Sequence, residues 1–382
     1  MVSANGHTKL SNGDAKIDTE EKPYKMEIVW RNVIIFIILH YLFYKAIVEW
    51  DTRLFIFHFG FGIITSFGIP VGAHRYWAHR SFKATYPFQV LLMIFQTICI
   101  QNDVIEWVRD HRVHHKFSDT DADPSNSKRG FFFSHMGWLM CKKHPDVRKY
   151  GAKVDMSDLE SDPLLLFQRK YYIPMILVLS VFMPTYVSYK LFKLPFLQCF
   201  YMNAFRYVLS LHITWCTNSV AHIGSWKPYD KTIAASDSRI NGTFTFGEGW
   251  HNFHHTFPWD YKVSELPLYR HNFSIAFIDF FAWLGWATDL KIASDDLIRK
   301  RVMRTGDGSH PYAVEAARQN KLNEDYLNNN NCKMNGNGRC IEESEVFWGI
   351  GEYFLGVDGL RGLKGTWGSS GRLGDTLRFG YY

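Results

Sequence analysis

The sequence predicts an all-helical integral membrane protein in which four transmembrane helices carry a cytoplasmic helical cap. Three observations predict this fold class. Four apolar runs are long enough to cross a bilayer, histidine-rich segments lie in the polar regions outside them, and lysine and arginine are concentrated near the histidines. The mean hydropathy of -0.18 hides the apolar runs, because long polar segments dilute them.

The four apolar runs form two pairs, and each pair is joined by a short linker. A transmembrane helix needs about 20 predominantly apolar residues, and the runs have about this length. Tyrosine and tryptophan near their ends fit the aromatic belts of a membrane interface. Polar residues within the runs, such as His40, His58, Arg206 and His212, leave the exact ends and the alternative of a soluble core open. The predicted spans are 28–48, 54–73, 171–189 and 194–218.

Two shorter apolar stretches, Phe88 to Ile100 and Phe273 to Ala287, are too short to cross and are predicted to lie at the membrane interface. Four spans place both termini and all the histidine-rich segments on one side. Basic residues crowd the loop 142–170, whereas the short linkers carry few. By the positive-inside rule, the termini and the histidines are expected in the cytoplasm.

The two ends of the chain differ in composition from the rest. Residues 1–25 are polar, mixed in charge and without the pattern of a cleaved signal peptide, so we expect them to be disordered. Residues 312–382 contain asparagine-rich and glycine-rich parts and are expected to be poorly ordered. Residues 26–311 then form one functional domain. The net charge of +6 suits an anionic membrane surface, and no motif predicts a nucleic-acid partner.

Two segments share the spacing His-x-x-His-His, which is rare by chance in a chain with 17 histidines among 382 residues. Residues three and four apart share a helix face, so members of each segment can converge on one metal ion. Adjacent histidines point about 100° apart, so one helix can serve two ions. The segments contain His111, His114 and His115, and His251, His254 and His255.

An earlier pair, His74 and His79, has a five-residue spacing. On a regular α-helix this spacing separates the side chains by about 140°. The helix is therefore expected to end or distort there, or the two histidines serve different ions.

The ligand type narrows the choice of metal. Imidazole suits iron, zinc, copper or nickel, and the scarcity of carboxylates within the histidine segments argues against calcium and magnesium. Zinc proteases place a glutamate directly after the first histidine, whereas Arg112 and Asn252 occupy those positions here. Hydrolytic zinc chemistry is disfavoured, while iron and zinc both remain open.

Three strings resemble the histidine boxes of membrane acyl-CoA desaturases of the stearoyl-CoA desaturase type: HRYWAH at 74–79, DHRVHHKFSDTDADP at 110–124 and GEGWHNFHH at 247–255. The similarity is to insect members in particular, including lepidopteran ones. It extends through QNDVIEW at 101–107 and RGFFFSHMGWL at 129–139 and covers about residues 25–311. Tyr76 in the first box and Ser125 after the second depart from the usual pattern without removing a ligand.

The resemblance implies a di-iron centre, with two iron ions held by nine histidines. These are the eight above and His222, and Asn218 is expected to reach one iron through water. Asn218 and His222 are four residues apart and so share a helix face. Without the resemblance, His222 would be taken for an ordinary histidine at a membrane end.

The resemblance also implies an activity: O2-dependent introduction of a Δ9- or Δ11-type double bond into a saturated fatty acyl-CoA, for unsaturated fatty acid or pheromone precursor synthesis. Electrons would come from cytochrome b5 and its NADH-dependent reductase, in the bilayer of the endoplasmic reticulum. The chain length and the double-bond position are left open. The implied substrate-binding residues are Asn102, Arg109, Asp110, Lys142 and Lys143 near the acyl-CoA head and Trp138 and Trp215 along the acyl tunnel.

Each of these residues has a structural alternative. Arg109 would equally form an ion pair with Glu106 or Asp110, the two lysines would set the topology, and the tryptophans would simply pack. Gly62 and Ser66 lie two to three turns before His74, where a bulkier residue would shorten the tunnel, so we expect a roomy far end. A di-iron hydroxylase or sterol-type oxidase is the alternative enzyme, and a membrane metal-binding protein is the alternative of another class.

Overall fold

The computed structural model describes residues 24–265 and 269–329. The described part is helical apart from one two-stranded antiparallel sheet, β1 (Lys83–Ala84) and β2 (Ala287–Thr288). The α-helices are α1 (Trp30–Val48), α2 (Thr52–Ser66), α3 (Tyr86–Ile98), α4 (Val104–Phe117), α5 (Phe131–His135), α6 (Pro145–Gly151), α7 (Ser157–Glu160), α8 (Pro163–Lys170), α9 (Tyr172–Ile176), α10 (Met183–Phe192), α11 (Phe196–Ser219), α12 (Arg239–Phe244), α13 (His251–Thr256), α14 (Phe273–Trp283), α15 (Asp295–Thr305) and α16 (Pro311–Asn329). Two π-helices, Gly68–Ala78 and Leu177–Phe182, and four 3₁₀ turns, Ser127–Arg129, Gly137–Met140, Val220–His222 and Tyr269–His271, complete the description.

Three helices in the described part are long and apolar enough to cross a membrane: Trp30–Val48, Thr52–Ala78 and Tyr172–Phe192. They correspond to the first three predicted spans. The fourth predicted span forms α11, whose 24 residues extend about 36 Å at 1.5 Å per residue. Asn203, Arg206 and His212 lower the mean hydropathy of α11. By composition, α11 is therefore not among the three helices that are apolar enough to cross a membrane.

Helix α11 packs against α1, α2 and α10 and so lies at the centre of this group. Ala46, Leu54, Cys199 and Met202 form a buried apolar cluster among these helices. Apolar side chains on the outside of the group are largely exposed; Ile37, for example, is 65% exposed. An apolar outer surface of this kind suits lipid rather than water.

The polar residues of α11 have a local structural cause. The π-helix Leu177–Phe182 widens the helical turn, which leaves backbone carbonyl groups for a neighbouring helix to satisfy. The side-chain nitrogen of Asn203 donates to the carbonyl oxygen of Ser180 at 2.8 Å, and Arg206 Nη2 lies 3.0 Å from Ser180 Oγ.

The predicted interfacial stretches form α3 and α14, two short apolar helices. Both contribute to a large buried core that includes Phe88, Leu92, Ile105 and Ile278. On the opposite face of α14, Trp283 is 79% exposed. The short sheet ties the start of α3 to the end of α14, because Lys83 pairs with Thr288 and Ala84 with Ala287.

The described residues divide into one compact unit that ends at Ala316 and a second that begins at Ala317. Residues 312–329, the first part of the stretch expected to be poorly ordered, belong to helix α16. Ten of the 19 residues of α16 are alanine, glutamate, leucine, arginine, glutamine or lysine, which favour a helix. The expectations for residues 1–23 and 330–382 lie outside the described residues.

Candidate metal centre

Nine histidines converge in two groups that could each hold a metal ion. We call them the first cluster and the second cluster. Within each cluster, the nitrogen atoms that could bind an ion lie within 4.8 Å of one another. The first cluster contains His74, His79, His111, His115 and His254, and the second contains His114, His222, His251 and His255.

Helices α4 and α13 each contribute to both clusters, as the turn of an α-helix requires. On α4, His111 and His115 are four residues apart and join the first cluster, whereas His114 points to the second. On α13, the assignment is reversed: the pair four residues apart joins the second cluster and His254 joins the first. The two helices therefore interlock across both clusters.

The five-residue spacing of His74 and His79 is explained by the π-helix Gly68–Ala78. A π-helix has hydrogen bonds from residue i to residue i+5, so residues five apart come close to the same face. The backbone N–H of His79 donates to the carbonyl oxygen of His74 at 3.1 Å. The helix is distorted in this stretch, and both histidines point into the first cluster.

The spacing of the nitrogen atoms fits the coordination of a transition-metal ion. A zinc ion, for example, binds imidazole nitrogen at about 2.0–2.1 Å, so two such nitrogens at right angles lie about 3 Å apart. The observed separations between Nε2 atoms are 2.8 Å for His74 and His254, 2.9 Å for His79 and His111, 2.9 Å for His115 and His254, 3.0 Å for His222 and His251, 3.0 Å for His251 and His255, and 3.3 Å for His114 and His255.

Burial favours the neutral imidazole, the form that binds metal. It lowers the pKa of most of these groups well below the usual histidine range. Burial also lowers the pKa of His114, but the nearby carboxylates of Asp123 and Asp119 raise it by more, so this pKa is raised overall. The groups whose pKa is lowered in this way are His79, His111, His115, His251, His254 and His255.

Carboxylates lie behind three histidines of the clusters. Glu248 Oε2 lies 2.7 Å from Nδ1 of His74, and Asp123 Oδ2 lies 2.9 Å from Nδ1 of His114. Asp119 Oδ1 is farther from Nδ1 of His222, at 3.4 Å, and forms no hydrogen bond with it. A carboxylate at Nδ1 fixes the tautomer with bare Nε2 and makes that nitrogen a better ligand.

These carboxylates were missed as functional residues in the sequence, although all three lie within the strings that carry the family resemblance. In the sequence, they could be recognised only as carboxylates three to nine residues from a histidine within a polar string. Such a spacing is common in loops, so it is a weak indication of function. Glu248 is held in turn by the buried Arg75, whose Nε also donates to the carbonyl oxygen of Tyr261 at 2.8 Å. Arg75 thus links the first box to the third.

Two cavities meet at the metal centre. The larger, of about 810 Å³, runs between α2 and α11, and Gly62, Ser66 and Arg206 line it. The smaller, of about 340 Å³, is lined by four of the predicted substrate residues: Asn102, Asp110, Trp138 and Trp215. Both cavities are lined by Trp107, His111, His114, Thr214 and Asn218. Asn218 therefore lies where the cavities meet, although its contact with an ion through water stays a prediction.

The charged residues predicted to bind the acyl-CoA head are engaged in ion pairs. Arg109 contacts Glu106 at 3.0 Å and Glu160 at 2.7 Å. This is the ion pairing expected if Arg109 has a structural role, except that Glu160 rather than Asp110 is the second partner. Lys143 instead contacts Asp110 at 2.5 Å. Burial raises the pKa of Asp110 to about 6 despite this lysine.

Lys142 is 59% exposed at its side chain and contacts Glu27 at 2.5 Å. It is the most open of these cations and is free to exchange its partner for an anionic ligand.

A separate chain of three histidines crosses the helices outside both clusters. Nε2 of His40 lies 3.1 Å from Nε2 of His212, and Nδ1 of His212 lies 3.0 Å from Nε2 of His135. His40 and His212 lie within predicted membrane spans. In the structure the chain continues to Ser219 Oγ, 2.9 Å from His135 Nδ1, and can be satisfied by hydrogen bonds alone.

Comparison with known proteins agrees with this site. Residues 52–276 match the model of the fatty acid desaturase family. The chain is 49% identical over 294 residues to an acyl-CoA Delta-9 desaturase of Acheta domesticus, covering 76% of this chain and 82% of the relative. It is 49% identical to a Delta(9)-fatty-acid desaturase of Caenorhabditis elegans (76% and 86% covered) and 46% identical to an acyl-CoA Delta(11) desaturase of Spodoptera littoralis (76% and 87% covered).

Proposed function

This chain belongs to the fatty acid desaturase family and is an acyl-CoA desaturase, an oxidoreductase, and we propose that it introduces one double bond into the saturated chain of a fatty acyl-CoA. In the balanced reaction, the acyl chain loses two hydrogens from neighbouring carbons, and O2 accepts four electrons and four protons to give two waters. Two of the electrons come from the substrate and two from an outside donor. The observation that carries the proposal is the pair of histidine clusters at the junction of two cavities.

We assign the two clusters to two iron ions. Unactivated C–H bonds do not react with side-chain acids or bases, so the ions would supply the O2-derived oxidising power when bound. The five histidines of the first cluster and the four of the second would hold them, with Asn218 reaching one through water. Glu248 and Asp123 keep the Nε2 atoms of His74 and His114 directed inward, and burial favours the neutral form of the six imidazoles whose pKa it lowers.

The cavities give the acyl chain a path past the metal centre. The smaller cavity, with Trp138 and Trp215, would receive the part of the chain next to the thioester, and the larger cavity would receive the methyl end. His111 and His114 lie between the two. The enzyme must hold one pair of methylenes there among chemically equal neighbours, so the depth of the larger cavity sets the double-bond position. A Δ9- or Δ11-type product is the form we propose.

The anionic acyl-CoA head would lie at the mouth of the smaller cavity. Asn102 and Asp110 line this cavity, Lys143 contacts Asp110, and Arg109 and the exposed Lys142 would complete the set of residues that bind the head. A phosphate group would displace Glu27 from Lys142, because an exposed ion pair contributes little stability.

We place the protein in the membrane of the endoplasmic reticulum, with α11 as the fourth span and with both termini and the metal centre in the cytoplasm. The polar side chains of α11 do not exclude this helix from the bilayer, because Asn203 and Arg206 form hydrogen bonds with the neighbouring π-helix. The proposed electron donor is cytochrome b5, reduced by its NADH-dependent reductase. The cytoplasmic side is the side from which such a donor reaches the metal centre.

The deciding experiment expresses the full chain in yeast that lacks its own acyl-CoA desaturase and supplies saturated fatty acids. Double bonds are located by mass spectrometry of disulfide adducts, with the variant His254→Ala as the inactive control. A new monounsaturated acid supports the proposal and gives the position of the double bond. Hydroxylated acids would support the alternative hydroxylase, and no oxidised product from iron-loaded protein would contradict both.

A further inference from the structure

The far end of the larger cavity carries two polar side chains among apolar ones. Arg206 lies there on α11, 16 residues before His222, or about 24 Å along the helix axis. Its side chain is buried, with 5% of the residue exposed, and it lines the cavity. The residues that close this end are Phe55, His58, Phe59, Met202, Phe205 and Arg206.

The guanidinium of Arg206 has hydrogen bonds but no counter-ion. Nε donates to Asn203 Oδ1 at 2.9 Å, and Nη2 donates to Ser180 Oγ at 3.0 Å. Within the described residues, no carboxylate lies within 4.0 Å of this group, and Nη1 has no hydrogen-bond acceptor. A buried cation in a membrane segment is costly unless it is paired, so a ligand that accepts from Nη1 would be favoured.

A second polar side chain at the same end of the cavity has a ring nitrogen without a hydrogen-bond partner. His58 is 1% exposed, and its Nε2 lies 3.1 Å from Ser188 Oγ. Its Nδ1 is buried without a hydrogen-bond partner. A plain hydrocarbon end would leave both Arg206 Nη1 and His58 Nδ1 unsatisfied, whereas an oxygen atom could contact either.

Gly62 makes the position of Arg206 possible. A Cβ atom at residue 62 would lie 2.9 Å from Cγ and 3.5 Å from Cδ of Arg206. The absence of a side chain at Gly62 therefore lets the arginine extend along α2 and face the cavity. The hydrogen bond from Arg206 to Ser180 does not explain why a cation is present at this position, because Asn203 already donates to the carbonyl oxygen of Ser180 at 2.8 Å.

We propose that Arg206 makes the far end of the cavity a binding site for an oxygen function on the terminal carbon of the acyl chain, either a hydroxyl or a carboxylate. The inference rests on the proposed function, since it takes the larger cavity as the site of the methyl end. The oxygen accepts a hydrogen bond from Nη1 in a buried region, where a bond to a charged donor is strong. The class of substrate is an acyl-CoA oxygenated at its terminal carbon.

The test is a competition in microsomes that contain the full chain, reduced cytochrome b5 and O2. Pairs of acyl-CoAs of equal length, one ending in a methyl group and one in a hydroxyl, are mixed at equal concentration across a series of chain lengths. A third acyl-CoA with a terminal carboxylate replaces the hydroxyl in a parallel series. The ratio of the two desaturated products within one reaction is measured, because this ratio does not depend on how much enzyme is folded.

At the chain length that reaches Arg206, we expect the wild type to favour the oxygenated chain at least about tenfold, the effect of one hydrogen bond to a charged group. Arg206→Met should reduce the ratio to that of shorter chains, and Arg206→Lys should keep part of it. Lys190→Met is the matched control, because Lys190 lies on the neighbouring helix α10 over the ring of Tyr186 and does not line the cavity. It should leave the preference unchanged.

Each outcome decides one question. A preference for the hydroxyl alone, the carboxylate alone or both identifies the oxygen function, provided that Arg206→Met removes it. Equal desaturation of methyl-ended and oxygenated chains by the wild type at every length would overturn this inference and leave the proposed function intact, even if neither arginine variant accumulates. A preference that persists in Arg206→Met would also overturn it. Failure to desaturate any acyl-CoA would instead contradict the proposed function.

Discussion

Nε2 of His74 lies 2.8 Å from Nε2 of His254, although the two residues are 180 positions apart in the chain. The contact joins the π-helix after α2 to helix α13, and Glu248 approaches His74 from the other side at 2.7 Å. Two imidazole nitrogens this close have the spacing of neighbouring ligands on one ion. The first cluster is therefore assembled from segments that only the tertiary fold brings together.

Replacing His254 tests the division into two clusters. In His254→Ala the first cluster loses a nitrogen, while the second keeps all four of its own. We expect bound iron to fall from about two ions per chain toward one, because fewer ligands remain for one ion. Metal analysis of the purified protein measures this. His271→Ala is the control, since Nδ1 of His271 lies 2.8 Å from Thr243 Oγ1, outside both clusters; retention of all the iron by His254→Ala would argue against the assignment.

Replacing Glu248 tests the carboxylate behind His74. Glu248→Gln keeps the shape of the side chain but removes its charge, so Nδ1 of His74 loses an anionic partner and Arg75 loses its counter-ion. We expect iron to be released to a chelator about 10–100-fold more readily, the usual effect of removing such a partner. Asp289→Asn removes an exposed carboxylate that pairs with Lys83 and serves as the control. Equal chelator resistance in the two variants would show that Glu248 does not support the metal site.

Replacing Gly62 tests the depth of the cavity. A tyrosine at this position would occupy part of the larger cavity and displace Arg206, so we expect the products of Gly62→Tyr to shift to shorter chains. Gly60→Tyr is a close control on the same helix: a Cβ atom there has no neighbour within 4 Å, and Gly60 does not line the cavity. Fatty acid profiles of yeast that express each variant are compared. An unchanged profile in Gly62→Tyr would remove the idea that this end limits chain length.

Replacing Asp237 tests how the third histidine segment is positioned. Asp237 Oδ1 accepts hydrogen bonds from the backbone N–H groups of Asn252 at 2.8 Å and Phe253 at 3.2 Å, at the start of α13. Asp237→Ala leaves both groups unsatisfied, so we expect a loss of about 0.5–2 kcal/mol in unfolding free energy, as for a lost helix cap. Thermal unfolding in detergent gives the midpoint temperatures.

The matched variant at this position is Asp237→Asn, which keeps an oxygen acceptor. Burial raises the pKa of Asp237 to about 7, so a neutral amide also avoids the cost of a buried charge. We expect this variant to be at least as stable as the wild type near pH 7. A drop as large as that of Asp237→Ala would mean that the charge, rather than the hydrogen bonds, holds α13.

Most of the fold class could be predicted from the sequence, because the length of an apolar run and the spacing of residues on a helix are local properties. The runs at 28–48, 54–73 and 171–189 correspond to the three helices that are long and apolar enough to cross a membrane. The run at 194–218 forms α11, whose polar residues are explained only by a neighbour, the π-helix Leu177–Phe182. The helical stretch Pro311–Asn329 was not predicted, because the surrounding asparagine- and glycine-rich composition obscured it.

The sequence by itself determined which histidines of α4 and α13 can share an ion, because their spacing is a matter of helical turn, whereas His222 was included only through the family resemblance. The spacing also determined that each of these two helices contributes histidines to both clusters. Only the tertiary structure decided which histidine joins which cluster, which carboxylates lie behind them and that Arg206 closes the cavity. These relationships depend on how helices far apart in the chain pack together, and a distance such as that between His74 and His254 has no counterpart in any local pattern.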